Sequence, residues 1–200
     1  DRVGGSVAAV DHVYLPRLLR GGCVGPETGS LPNPVHSPGG FVMDSEPGLY
    51  DNVLVLDFKS LYPSIIRSFN IDPLGLARGD AGGVPGFLGA RFARDEAILP
   101  QLIEQLWSAR DAAKREANAP LSQAIKILMN SFYGVLGSFG CRFFDPRLAS
   151  SITRRGHQII NESRGYIEKR GLRVIYGDTD SVCVLLGPGM TDDQARATGE

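Results

Sequence analysis

An α+β fold is predicted, with a small antiparallel sheet backed by helices and a helical hairpin inserted into it. Three observations predict it. Val53-Leu54-Val55-Leu56 is a continuous apolar run of β-formers ending in Asp57. From Val174 the chain climbs through Tyr176-Gly177-Asp178-Thr179-Asp180-Ser181 and leaves along a second apolar run, Val182 to Leu186, the pattern of a β-hairpin. Between these stretches the period becomes helical. Leu99, Leu102, Ile103, Leu106 and Trp107 fall at i, i+3, i+4, i+7 and i+8, and Ala119-Pro120 then breaks the helix.

In chain order, residues 1–50 form a connecting segment. Val7 to Leu19 is expected to be helical, and a loop follows through Gly21-Gly22, Pro26, Pro32, Pro34 and Ser37-Pro38-Gly39-Gly40. Gly39-Gly40 allows close backbone approach, or simply a turn. Val53–Leu56 is expected to be a strand buried on both faces. Ser60 is a candidate N-cap and Pro63 fits a first helical turn. Residues 72–90, Gly-rich and aperiodic, are expected to be loop. One helix is expected from about Asp95 to Asn118 and a second from Leu121 to about Gly134, antiparallel because the connection is short. Asp145-Pro146 should open a long helix to Arg170, stopped by Gly171. From Arg147 to Arg173 seven Arg or Lys face two acids, so this helix either lies near a polyanion or is an ordinary charged surface.

Composition narrows the class. Apolar content is 42% and charged content 22%, as in ordinary globular proteins, and net charge is −1. No run approaches the roughly 18 apolar residues of a membrane span. Cys23, Cys141 and Cys183 are widely spaced with no CxxC pair, so they read as incidental thiols of a reducing cytoplasm. No signal peptide or initiating Met opens the sequence, and both ends look like cuts, so the chain reads as a fragment.

The acids carry the chemistry. Asp178 and Asp180, two residues apart, raise each other's pKa unless a cation lies between them, and oxygen ligands suit Mg²⁺. Asp57 is either a third ligand or a strand-end cap. Three converging carboxylates would suit two metals about 3.5–4 Å apart, the arrangement of in-line phosphoryl transfer. The turn at Ser60-Leu61-Tyr62 places N–H groups at a helix start, where phosphate binds. Arg110 and Lys114 share a helix face, as do Lys126, Asn130 and Tyr133 on the next helix. These are either a solvated charged face or the cationic side of a triphosphate site. Gly134 beside Tyr133 leaves room for a flat group.

Three motifs carry a resemblance. Asp57-Phe58-Lys59-Ser60-Leu61-Tyr62-Pro63-Ser64-Ile65-Ile66, Lys126-Ile127-Leu128-Met129-Asn130-Ser131-Phe132-Tyr133-Gly134 and Tyr176-Gly177-Asp178-Thr179-Asp180-Ser181 resemble motifs A, B and C of the family B DNA polymerases, in the family's order. Flanking text, including Ser37-Pro38-Gly39-Gly40 and Cys141-Arg142-Phe143-Phe144-Asp145-Pro146, is most similar to its bacterial members. The resemblance implies a palm, residues 51–94 and 138–200, and a fingers hairpin, residues 95–137. It implies template-directed addition of deoxyribonucleotides to a primer 3′ end by two-metal nucleotidyl transfer. Asp57 and Asp180 would be principal ligands of two Mg²⁺ ions (Mn²⁺ substituting), with the Phe58 carbonyl assisting and Asp178 a secondary carboxylate. Arg110, Lys114, Lys126 and Asn130 would hold the triphosphate, with the Ser60, Leu61 and Tyr62 backbone on the palm side. Tyr62 would also exclude a 2′-hydroxyl.

The resemblance further implies that Tyr133 and Gly134 border the nascent base pair and that Gly39 and Gly40 contact the template; where the family often has Tyr two residues before these glycines, this chain has Ser37. Primer–template DNA and deoxyribonucleoside triphosphates would be the partners, with a sliding clamp for the full-length protein only. The location would be the bacterial cytoplasm, at the nucleoid. Thumb and exonuclease domains are absent from this stretch, so the fragment alone is expected to be inactive. Two alternatives stay open: another palm-type nucleotidyl transferase, against which motif B speaks, and an inactivated polymerase module, against which the intact acids speak.

Overall fold

The longest-range pairing in the sheet joins the two apolar runs read from the sequence. In the computed structural model, which describes residues 7–29, 37–95 and 97–199, strand β1 (Val53–Asp57) pairs antiparallel with β5 (Ser181–Leu185), and β5 pairs antiparallel with β4 (Arg173–Asp178), giving the order β1-β5-β4. The chain divides into two units, one of Asp1–Pro38 with Tyr62–Ile152 and the other of Gly39–Leu61 with Thr153–Glu200. The fold is α+β.

The sheet belongs to the second unit. Side chains alternate along a strand, and residues in register share a face. Leu54, Leu56, Val182, Val184 and Val174 therefore line one face, where Val182 and Val184 are buried. Helix α6 (Pro146–Glu168), which enters this unit at Thr153, contributes Ile159 and Ile167 to the same apolar surroundings as Leu56 and Val184. Gly199, closing helix α7 (Asp192–Gly199), lies against Leu54. The opposite face carries Val55, Asp57, Ser181 and Cys183. The expectation that β1 is buried on both faces fails: Val55 is 59% exposed, because β1 is an edge strand with only its alternate residues turned to the core.

An irregular segment completes this side. Met43 N–H donates to the Gly177 carbonyl at 2.8 Å, Thr179 N–H to the Phe41 carbonyl at 2.7 Å, and Val42 bridges antiparallel to Asp178. Residues 41–46 thus run beside β4. Gly177 packs closely there: an added Cβ would lie 2.8 Å from the Met43 sulfur, which would have to shift.

The first unit is built around helices. Helix α1 (Val7–Arg20) buries Val10, Tyr14 and Leu18. Helix α4 (Ile98–Arg115) buries Leu99, Leu102 and Ile103, as its stripe predicts, and packs on α5 (Ala119–Leu136). Pro120 sits in the first turn of α5, where its missing N–H costs nothing, and Asn118 caps that turn by accepting from Leu121 N–H at 3.1 Å. Asp145 opens α6 as expected, its carboxylate accepting from Arg147 N–H at 2.8 Å, and Gly171 beyond the helix has φ +81°. Residues 72–90 are loop only in part: they also form helix α3 (Pro73–Arg78) and strand β2 (Val84–Pro85), which pairs with β3 (Arg91–Phe92).

Ser60 does not adopt the extended backbone of an ordinary N-cap. Helix α2 (Leu61–Ser68) starts directly after it, but Ser60 has φ +54°. The three cysteines are free, and no helix among the described residues is long and apolar enough to cross a membrane. Pro32 and Pro34 of the expected loop lie outside the described residues.

Candidate active site

Asp57 and Asp178 stand in register with the same residue. Both are paired with Ser181 on the central strand, one from each side. They share the sheet face opposite the buried valines, with backbones roughly 10 Å apart across two strand spacings. Asp57 is exposed and Asp178 half-buried. Asp180 lies in the turn between β4 and β5, and its carbonyl accepts from Phe58 N–H at 2.7 Å, which ties the end of β1 to the hairpin turn. All three acids and Phe58 therefore meet at one end of one sheet.

The turn that carries them is under strain. Thr179 has φ +40°, a conformation β-branched residues avoid, and Asp180 N–H donates to the Asp178 carbonyl around it. Strain of this kind costs on the order of 1–3 kcal/mol and collects at functional sites. The Thr179 hydroxyl donates to Asp178 Oδ1 at 2.8 Å, orienting that carboxylate. Gly40 faces the same threonine: a Cβ there would lie 2.5 Å from Thr179 Oγ1, whereas one on Gly39 would meet nothing among the described residues. The Gly39 carbonyl lies 3.0 Å from His157 Nε2, and the Phe41 and His157 rings pack at 5.3 Å.

The donor set fits a divalent cation: carboxylate oxygens and backbone carbonyls are the ligands Mg²⁺ takes. The pairing of strands delivers these donors to one place. The side chains are not gathered, however: among the described residues no three His, Cys, Asp or Glu side chains cluster closely enough to hold an ion.

The first unit carries the candidate cations and the stacking residues. Arg110 on α4 is half-buried, and its Nε is buried with no hydrogen-bond partner among the described residues. A buried guanidinium donor without an acceptor is costly. Lys114 on the same helix is exposed, as are Lys126 and Asn130 on α5. Tyr133 lies against Tyr62, with ring centroids 4.8 Å apart and planes tilted by 55°. Burial pushes the Tyr133 phenol above its ordinary pKa, opposed by a hydrogen bond to Ser37. Gly134 opens on space, since an added Cβ there meets nothing within 4 Å. Leu61 is buried.

Sequence reasoning missed Asp72. It is fully buried, and its carboxylate accepts from Leu99 N–H at 2.7 Å, Gly75 N–H at 2.9 Å and the Tyr14 hydroxyl at 3.1 Å. The signal was present, because Asp72-Pro73 repeats the Asp-Pro signature that correctly marked α6. Arg67 was also unremarked. It pairs with Glu104 at 2.5 Å and stands over the Trp107 ring at 5.6 Å, joining α2 to α4.

Comparison with known proteins agrees with the motifs. The model of DNA polymerase family B matches residues 5–83 and 88–200. DNA polymerase II of Escherichia coli K12 is 58% identical over 204 residues, covering 100% of this chain and 26% of that protein. DNA polymerase 1 of Pyrococcus abyssi (strain GE5 / Orsay) is 35% identical over 172 residues, covering 79% of this chain and 22% of the relative. Among solved structures, the family B DNA polymerase of Pyrobaculum calidifontis superposes with a TM-score of 0.68 at 30% identity, over 92% of this chain and 26% of that one. The chain thus spans about a quarter of the length of these relatives.

Proposed function

Because this chain belongs to DNA polymerase family B, we propose that it is the palm and fingers portion of a template-directed DNA polymerase. The full-length protein would add deoxyribonucleotides to a primer 3′ end and release pyrophosphate. The observation that carries this reading is the placement of Asp57 and Asp178 on either side of Ser181, with Asp180 tied to Phe58 at the same sheet end.

In this reading the sheet is the palm and the α4–α5 hairpin the fingers. Asp57 and Asp180, with the Phe58 carbonyl, would hold two Mg²⁺ ions, and Asp178 would be a secondary ligand oriented by Thr179. Divalent cations at such a site lower the pKa of an attacking hydroxyl and stabilise a leaving pyrophosphate. Arg110, Lys114, Lys126 and Asn130 would bind the triphosphate, and the Ser60–Tyr62 backbone would donate to phosphate oxygens at the α2 start. Tyr62 would stand against the sugar, leaving no space for a 2′-oxygen. Tyr133 and Gly134 would border the base pair, and Gly39 and Gly40 the template.

DNA would be held mainly through its phosphates, so binding should weaken steeply with salt. A sliding clamp, if used, would engage the full-length protein elsewhere, and the setting would be a bacterial nucleoid. The isolated stretch is expected to be inactive. Primer extension by the full-length protein beside Asp180→Ala tests the assignment. Incorporation should collapse in the variant, and equal incorporation would overturn the metal-site reading.

A further inference from the structure

A carboxylate removed from water needs strong compensation. Asp72 finds it from three separate elements, all in the first unit. Gly75 N–H lies in the first turn of α3 and Leu99 N–H in the first turn of α4. Each is a donor that helix geometry leaves without an internal partner. Helix α4 has no cap of its own, since Ala97 at its N-cap position offers no side-chain acceptor. Asp72 therefore caps α4 from a distant point in the sequence while capping α3 locally. Tyr14 on α1 completes the junction: its hydroxyl donates to Asp72 and accepts from Leu74 N–H at 3.0 Å.

We propose that Asp72 is a positioning residue for nucleotide addition: by fixing the base of α4 against α1 and α3, it sets where Arg110 is delivered. The inference rests on the reading of Arg110 as a triphosphate ligand. Leu99 and Arg110 are about 16 Å apart along the axis at 1.5 Å per residue. A tilt of about 5° at the base would move Arg110 by roughly 1.4 Å, a misplacement of the size that can cost about 100-fold in rate. Arg110 depends on this support, because no acceptor among the described residues holds its buried Nε. The Arg67 brace farther along α4 does not replace it. That ion pair is half-exposed, with side chains 50% and 51% accessible, and such pairs are weak.

The test is steady-state primer extension by the full-length protein, at a temperature where circular dichroism shows every variant folded. Asp72→Asn keeps the size but turns an N–H₂ toward backbone donors. It should raise KM for the incoming nucleotide about tenfold, with affinity for primer–template unchanged. Tyr14→Phe, which removes one hydroxyl, should raise KM in the same direction by less. If Asp72 acts through α4, combining either variant with Arg110→Ala should be no worse than Arg110→Ala alone. A wild-type KM in folded Asp72→Asn, or effects that multiply in the double variant, would overturn the proposal. Should Asp72→Asn fail to fold, Tyr14→Phe with and without Arg110→Ala decides the matter in the same way. Arg110→Ala with an unchanged KM would instead remove the triphosphate reading itself.

Discussion

Tyr62 and Tyr133 meet ring to ring, 4.8 Å between centroids. One comes from the first turn of α2 and the other from the last part of α5, so motifs A and B are physically joined. A tilted aromatic pair contributes about 0.5–1.5 kcal/mol beyond its buried area. Tyr62→Ala in the full-length protein should therefore lower stability modestly and admit ribonucleotides more readily. Tyr62→Phe keeps the ring and should keep the discrimination. The readout is the ratio of ribonucleotide to deoxyribonucleotide incorporation, and an unchanged ratio in Tyr62→Ala would sink the steric role.

Gly39 and Gly40 are adjacent but not equivalent. A methyl group on Gly40 collides with Thr179, whose hydroxyl orients the Asp178 carboxylate, while one on Gly39 enters open space. Overpacking of this kind costs about 1–3 kcal/mol. Gly40→Ala should lose both thermal stability and incorporation, whereas Gly39→Ala should keep its unfolding temperature. Equal unfolding temperatures for the two variants would mean that the Thr179 contact does not constrain Gly40.

Asp72 gives a pH signature. Burial holds its carboxyl above the ordinary value, outweighing the hydrogen bonds from Leu99, Gly75 and Tyr14. The folded chain then keeps a proton that the unfolded chain releases near pH 3.9. In that window the native state binds more protons, so this contribution to stability falls as pH rises from the unfolded pKa to the folded one, and is fully lost above the folded one. Asp72→Asn cannot titrate. Thermal unfolding followed upward from about pH 4 should show wild type losing stability relative to the variant, by at most about 1.4 kcal/mol per pH unit. Parallel curves would show that burial does not govern this carboxyl.

Much of this architecture was legible because it is local. The α4 stripe, the Pro120 break and the Asp145-Pro146 opening each lie within one turn or one period. The hairpin at Asp178–Asp180 was legible for the same reason. What was not legible depended on partners far along the chain. β1 reads as doubly buried because Val53–Leu56 are all apolar, but its place at the sheet edge is set by pairing with β5. Helix α3 is six residues long, too short to display a period, and its Gly75 masks it further. The Asp57–Ser181–Asp178 row is a matter of register, which composition cannot report. Asp72 looks like a cap in the sequence, but its second helix lies 27 residues away.

Arg110 separates stability from binding. Among the described residues its buried Nε has no acceptor, and an unsatisfied buried donor costs about 1–3 kcal/mol, more when charged. Arg110→Met keeps most of the side-chain volume and removes that donor. Without nucleotide, the variant should therefore unfold at the same temperature as wild type or a higher one. With nucleotide, Mg²⁺ and primer–template present, wild type should gain stability by mass action and the variant should gain much less. The crossing of the two results is the diagnostic. A residue that merely supports the fold would lower stability under both conditions, and a solvated surface arginine would change neither. A nucleotide-induced shift equal to wild type in Arg110→Met would show that the orphan donor is not waiting for phosphate.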